Sequence, residues 1–198
     1  MKRSTTTRTT TTKSRVPRAP RVRTSQLRRT YHGPTIASTP STAKTCMSAS
    51  FALNALPAFA DFTNLYDQYR IDKVRLDFYP RATTNLLASV DSYNLFHMAV
   101  DHTDITVPTD ELDIFQYDNH RTVQPYKPFS LTIKPAPAVT YWSGTTASGY
   151  GPRAGAWIDS KSPGVQHYGM KGVWQCNASG TVSIDCKITV WASFKEAM

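Results

Sequence analysis

Eleven basic side chains fall within residues 1–60, and no acid stands among them: Lys2, Arg3, Arg8, Lys13, Arg15, Arg18, Arg21, Arg23, Arg28, Arg29 and Lys44. Ten of these lie in residues 1–30, a stretch of Thr, Arg and Pro with almost no apolar side chain. Ammonium and guanidinium groups at this density suit one chemistry above others, the neutralisation of phosphates. With so little to bury, the segment cannot offset the entropy of ordering, so it reads as a disordered basic arm kept extended around Val16–Arg21. Were all ten cations to engage single-stranded phosphates, the logarithmic salt slope would be about −7 per arm. The bland alternative is a solubilising tail, but this run exceeds what solubility needs. It also has the composition of a nuclear import signal. Residues 61–198 hold all fourteen acids and twelve basic groups, so the net charge of +9 comes from the N-terminal stretch.

Within the body, Arg70, Lys73 and Arg75 stand on the polar phase of an alternating stretch and extend the basic surface, unless they are simply a solvated strand face. Tyr69 and Tyr79 flank them as candidates for base stacking or for ordinary packing. Trp142, Tyr150 and Trp157 lie in or beside a Gly- and Ser-rich stretch. Exposed there they would serve as anchors between subunits; the alternative is that they fold back on their own domain.

Other tempting chemistry dissolves on inspection. His97, Asp101, His102 and Asp104 precede Asp110, Glu111 and Asp113, yet no spacing matches a zinc or calcium site. A strand end feeding an acidic helix start, or a surface for a neighbour's cations, accounts for them. Gly149-Tyr150-Gly151 is not followed by the Lys and Ser or Thr of a phosphate loop, and no nucleophile elbow or triad order is present. Asn177-Ala178-Ser179 fits a glycosylation sequon but reads better as a turn. Cys46, Cys176 and Cys186 form no disulfide framework, and Cys186 sits on an apolar face, as a buried thiol would. The first residues hold no apolar stretch of the kind a secretory signal needs, and Thr45–Ala60 is too polar to span a bilayer. The expectation is therefore no enzyme, metal, cofactor or membrane insertion.

The elements that must hold these groups are strands. Along Thr181–Lys195 the apolar residues Val182, Ile184, Cys186, Ile188, Val190, Ala192 and Phe194 alternate with polar ones, Trp191 being the exception on the polar phase. Similar alternation predicts strands over 46–54, 69–80, 93–101 and 129–134, and 122–126, 156–159 and 167–176 read as further strands. Ile71 is out of phase with Val74, which predicts a bulge near Asp72. Helical turns are expected after Pro57 and over 109–117, the latter capped by Thr109. Pro135 and Pro137 should stop a strand, and 138–155 should be an exposed loop. The sum is an all-β protein: a single eight-stranded antiparallel jelly roll of two packed sheets, with one or two short helices, and the disordered arm ahead of it. Residues 1–44 are assigned to arm and linker, and 45–198 to the folded domain.

The segment Tyr66-Asp67-Gln68-Tyr69-Arg70-Ile71-Asp72-Lys73-Val74-Arg75-Leu76-Asp77-Phe78-Tyr79-Pro80 resembles the hallmark strand of circovirus-like capsid proteins. Pro125–Pro137, His167-Tyr168-Gly169 and Ile188–Glu196 are similar to further blocks of that family in the same order, and the Arg-rich arm matches too. The resemblance implies a capsid protein of a small circular single-stranded DNA virus. Such a subunit would close an icosahedral shell of about 60 copies of itself. It would package its genome through the arm, use a nuclear import receptor and a host surface receptor, and occur in the virion and the host nucleus. Capsid proteins of small RNA viruses or satellites share this logic, because phosphate contacts do not read the sugar. A cellular single-strand-binding β domain is the third reading.

Overall fold

A computed structural model describes residues 24–38, 44–81, 92–142, 144, 147–177 and 182–197. Its organising strand is β12 (Val182–Ala197). All seven apolar residues of the alternating run, from Val182 to Phe194, are buried on one face. One edge of β12 pairs antiparallel with β1 (Thr24–His32) and β2 (Ile36–Ser38), and the other with β4 (Tyr66–Pro80). Beyond β4 lie β7 (Phe129–Ile133) and, at its other end, β10 (Ile158–Asp159). The second sheet is built on β11 (His167–Asn177), flanked by β3 (Lys44–Phe51) and β5 (Ser92–Val100), with β6 (Arg121–Val123) outside β5. The hairpin β8 (Ala136–Trp142) and β9 (Ala147–Pro152) joins β11 through His167 and Tyr168.

The two sheets are thus four principal strands each, β1/β2-β12-β4-β7 against β3-β11-β5-β6, which is the expected antiparallel jelly roll with additions. Phe96 of the second sheet meets Phe78 and Phe129 of the first, with ring centroids 5.8 and 5.5 Å away, while Phe78 and Phe129 stack at 4.7 Å. Phe78 and Phe96 are fully buried, and each contributes about 1.5–3 kcal/mol of transfer free energy. The predicted bulge is present. Trp191 pairs with Lys73 and Ala192 with Ile71, so Asp72 is the extra residue, and both Ile71 and Val74 reach the core.

Several expectations are corrected. Residues 24–38 are not arm and linker: β1 and β2 are one edge strand bent at Gly33-Pro34, with Leu27 and Ile36 buried. Pro34 is tolerated because it stands on an edge, and Gly33 leaves room that a Cβ would not, since one there would lie 2.9 Å from Ile188. The stretch 138–155 is not simply a loop, since β8 and β9 occupy much of it; Pro137 sits in β8 where only two residues pair with β11. The first turn of α2 (Glu111–Phe115) is capped by Asp110, whose carboxylate accepts from the amides of Leu112 and Asp113. Thr109 instead donates its amide and hydroxyl to Asp113, completing a reciprocal cap. The other helix, α1 (Phe59–Thr63), carries Phe62, stacked 5.4 Å from Phe194.

The acidic cluster has a structural task. Lys171, on β11, is buried and places its Nζ 2.8 Å from Asp101 and 2.6 Å from Asp104, while the Tyr117 hydroxyl donates to Asp101 at 2.8 Å. Glu111 pairs with Lys44 at 2.6 Å. Among the described residues no group of side chains is arranged to hold a metal ion, and no helix is long and apolar enough to cross a membrane. Cys186 is buried, and burial pushes its thiol up to about 12.

Candidate nucleic-acid interface

The outward face of the β12 sheet is set by register. Arg28 of β1, Trp191 of β12 and Lys73 of β4 stand in one row across three adjacent strands. The Arg28 guanidinium carbon lies 5.4 Å, and the Lys73 Nζ 4.1 Å, from the centroid of the Trp191 ring. Two further aromatic–cation groups share the sheet. Trp157, just before β10, lies between Arg70 at 4.7 Å and Lys195 at 4.9 Å. Tyr79, at the far end of β4, accepts a hydrogen bond from Lys187 Nζ at 3.0 Å. Cations over ring faces gain about 0.5–1 kcal/mol at exposed sites.

Not every cation here is free. Arg70 donates Nε to Asp72 at 2.6 Å, and Arg75 donates Nε to Asp77 at 2.7 Å. Asp72 also accepts from Ser193 at 2.5 Å. Among the described residues, Arg28, Lys73 and Lys134 have no carboxylate within 4.0 Å. All three line one depression of about 550 Å³, together with Trp191 and the Arg70–Asp72 pair. A second depression of about 400 Å³ runs on past Arg75 to Tyr79 and Lys187. The face therefore offers positive charge beside flat rings, an arrangement suited to a polyanion that also carries bases.

The residues singled out in the sequence fall unevenly on this surface. Arg70, Lys73 and Arg75 share the face. Arg28 joins them, as a strand residue and not part of an arm. Arg29, its neighbour, points to the other side, 5.4 Å above the Phe62 ring. Tyr69 is fully buried and donates its hydroxyl to the Ser162 carbonyl at 3.0 Å, so it cannot stack on a base. Tyr79 is 41% exposed. Trp157 packs on its own sheet, while Tyr150, on β9, is 77% exposed. Trp142 lies on β8, and its side chain is outside the described residues, as are Lys2, Arg3, Arg8, Lys13, Arg15, Arg18, Arg21 and Arg23. Trp191 and Lys134 were not expected here. The signal for Trp191 was its place on the polar phase of β12, where an apolar ring has no core to enter.

Comparison with known proteins gives this fold a lineage. The chain is similar to the BFDV capsid protein in its 60-mer crystal form, with 20% identity and a TM-score of 0.66, over 88% of this chain and 95% of that one. The decameric form matches at 18% identity and a TM-score of 0.62, over 88% and 100%. The Cucumber Necrosis Virus structure shares the fold at 13% identity and a TM-score of 0.55, over 88% of this chain and 57% of that one. No curated protein sequence matches the chain. The family described as circovirus capsid protein matches residues 1–197, a structural and not a catalytic family. With the jelly roll, the ordered sequence blocks and this match in agreement, the chain belongs to the circovirus capsid protein family.

Proposed function

We propose that copies of this chain close an icosahedral shell and hold a single-stranded DNA genome against the basic face and arm. One observation carries the reading: among the described residues three cations without a carboxylate partner, Arg28, Lys73 and Lys134, share one groove with Trp191, where the only carboxylate, Asp72, is already engaged by Arg70. With Asp72 matched by Arg70, the other three cations leave the groove an excess of positive charge that favours an incoming anion. β1, the edge strand of that sheet, follows directly on the basic residues 1–23, so arm and groove can act on the same strand of nucleic acid. The solved BFDV forms, a 60-mer and a decamer, support closed assembly. Import into the host nucleus through the same basic run, and contact with a host receptor from the opposite side of the shell, belong to this reading.

Purified particles treated with nuclease, then opened, provide the test. Protected nucleic acid that resists RNase and yields to DNase is the expected result. Protected RNA would instead place the protein with RNA-packaging shells, since the groove reads phosphate and ring, not sugar. Deleting residues 1–23 and converting Lys73 and Lys134 to Gln should empty the particles. Unchanged nucleic-acid content in that variant would overturn the assignment.

A further inference from the structure

The β8–β9 hairpin leaves the body almost unsupported. Among the described residues only Ala136 and Pro137 pair with β11, and from Ala138 to Trp142 the sole ladder is to β9. Isolated two-stranded hairpins are marginal in water. The outer edge of β9 has no partner among the described residues. Its phase follows from one bond: the Arg153 amide donates inward to Pro137 O at 3.0 Å. Antiparallel alternation then turns the amides of Gly151 and Gly149 inward, and leaves the amide and carbonyl of Tyr150 facing out. Pro152 occupies the same outward phase, where a missing N–H disturbs no ladder.

Proteins that keep such an edge to themselves guard it with charge. Residues 136–152 contain no Lys, Arg, His, Asp or Glu. Tyr150 is 77% exposed. A Cβ built on Gly149 would meet nothing within 4 Å, so its own chain does not require a glycine there. A strand glycine without crowding in its own chain fits the close approach of another backbone.

We propose that the free edge of β9, centred on Tyr150, pairs with a second copy of this chain and seats the Tyr150 ring against it. The uncharged hairpin favours protein over nucleic acid as the occupant, and a capsid protein meets copies of itself first. The inference rests on the shell reading and deepens it by naming one contact. Gly149→Val and Tyr150→Lys, made in the full chain, should leave the melting of dissociated subunits unchanged and raise the concentration needed for assembly at least about tenfold, read by sedimentation velocity. In wild-type particles the Tyr150 amide should exchange slowly with deuterium, and in dissociated subunits quickly; this needs no variant. Variants that assemble at the wild-type concentration, or a Tyr150 amide that exchanges freely in the particle, overturn the contact and leave the shell standing. Normal assembly with reduced nucleic acid would give the hairpin to the genome and overturn it too. A wild type that stays monomeric at every concentration removes the shell reading and this contact together.

Discussion

Lys73 Nζ lies 4.1 Å from the centre of the Trp191 ring, across the β4–β12 ladder, at the position where the Asp72 bulge ends. Without the bulge, the side chains of β4 before this point would change faces, and Lys73 and Arg70 would not share a surface. The groove thus depends on one inserted residue. If it holds single-stranded nucleic acid, Lys73→Gln and Lys134→Gln should each reduce the salt slope by about 0.7. Trp191→Ala should weaken binding by about 1–3 kcal/mol, with Trp191→Phe recovering most of it. Oligonucleotide titrations across a salt series measure both, and an unaltered slope in the lysine variants would remove the groove from the interface.

The position of β1 separates two truncations. Removing residues 1–23 takes away eight basic groups and leaves every described strand intact, so thermal unfolding should not change while the salt slope falls by about 6. Removing residues 1–32 also strips β1 from β12, exposing a long edge and the space filled by Leu27. That protein should aggregate or melt well below the first. Leu27→Ala alone should cost about 2 kcal/mol, at the low end for a buried leucine because the strand is an edge. Equal melting of the two truncations would show that β1 adds nothing to the fold.

What the sequence made legible follows from how each strand is buried. β12 and β4 have one face in the core, so period two shows directly, and even the Asp72 bulge is visible as a phase error between Ile71 and Val74, whereas β11 is buried on both faces. β1 was hidden because its inward phase is Leu27, Arg29 and Tyr31, where an arginine lies over Phe62 in place of an aliphatic residue. Its basic composition made it look continuous with the arm. β8 and β9 were hidden because a hairpin that buries little has no need of alternation. At the site, Lys73 could be read from its strand phase. Arg28 and Lys134 could not, because their nearness to Trp191 is created by the pairing of strands far apart in sequence.

Gly169 offers a test of sheet-to-sheet packing. A Cβ there would lie 2.6 Å from both Ile133 Cδ1 and Phe51 Cε2, beside the irregular step between Tyr168 and Met170. Both contacts are buried side chains, so Gly169→Ala should destabilise the subunit by about 1–3 kcal/mol through overpacking. Gly149→Ala, built into open space, is the control and should be neutral in the dissociated subunit. Chemical denaturation of the two variants side by side checks the contrast.

Lys171 governs how stability depends on acid. Burial alone would raise the Asp101 carboxyl, but hydrogen bonds from Lys171, Thr103 and Tyr117 outweigh it and hold the group down to about 2, from 3.8. A carboxyl depressed on folding contributes stability that is complete above its unfolded value and lost as pH falls through its folded one. For Asp101 that window runs from about pH 4 down to about pH 2. Asp104 is depressed in the same direction by Lys171. Lys171→Met removes the cation and leaves Asp101 buried beside a methyl group, so the variant should lose about 3–5 kcal/mol near neutral pH. With the lysine gone the Asp101 carboxyl rises, and protonation relieves the buried charge. The deficit against wild type should therefore shrink as pH falls from about 4 towards about 2. Urea midpoints of both proteins across this range decide it, and a deficit that stays constant with pH would mean that Lys171 acts by packing alone.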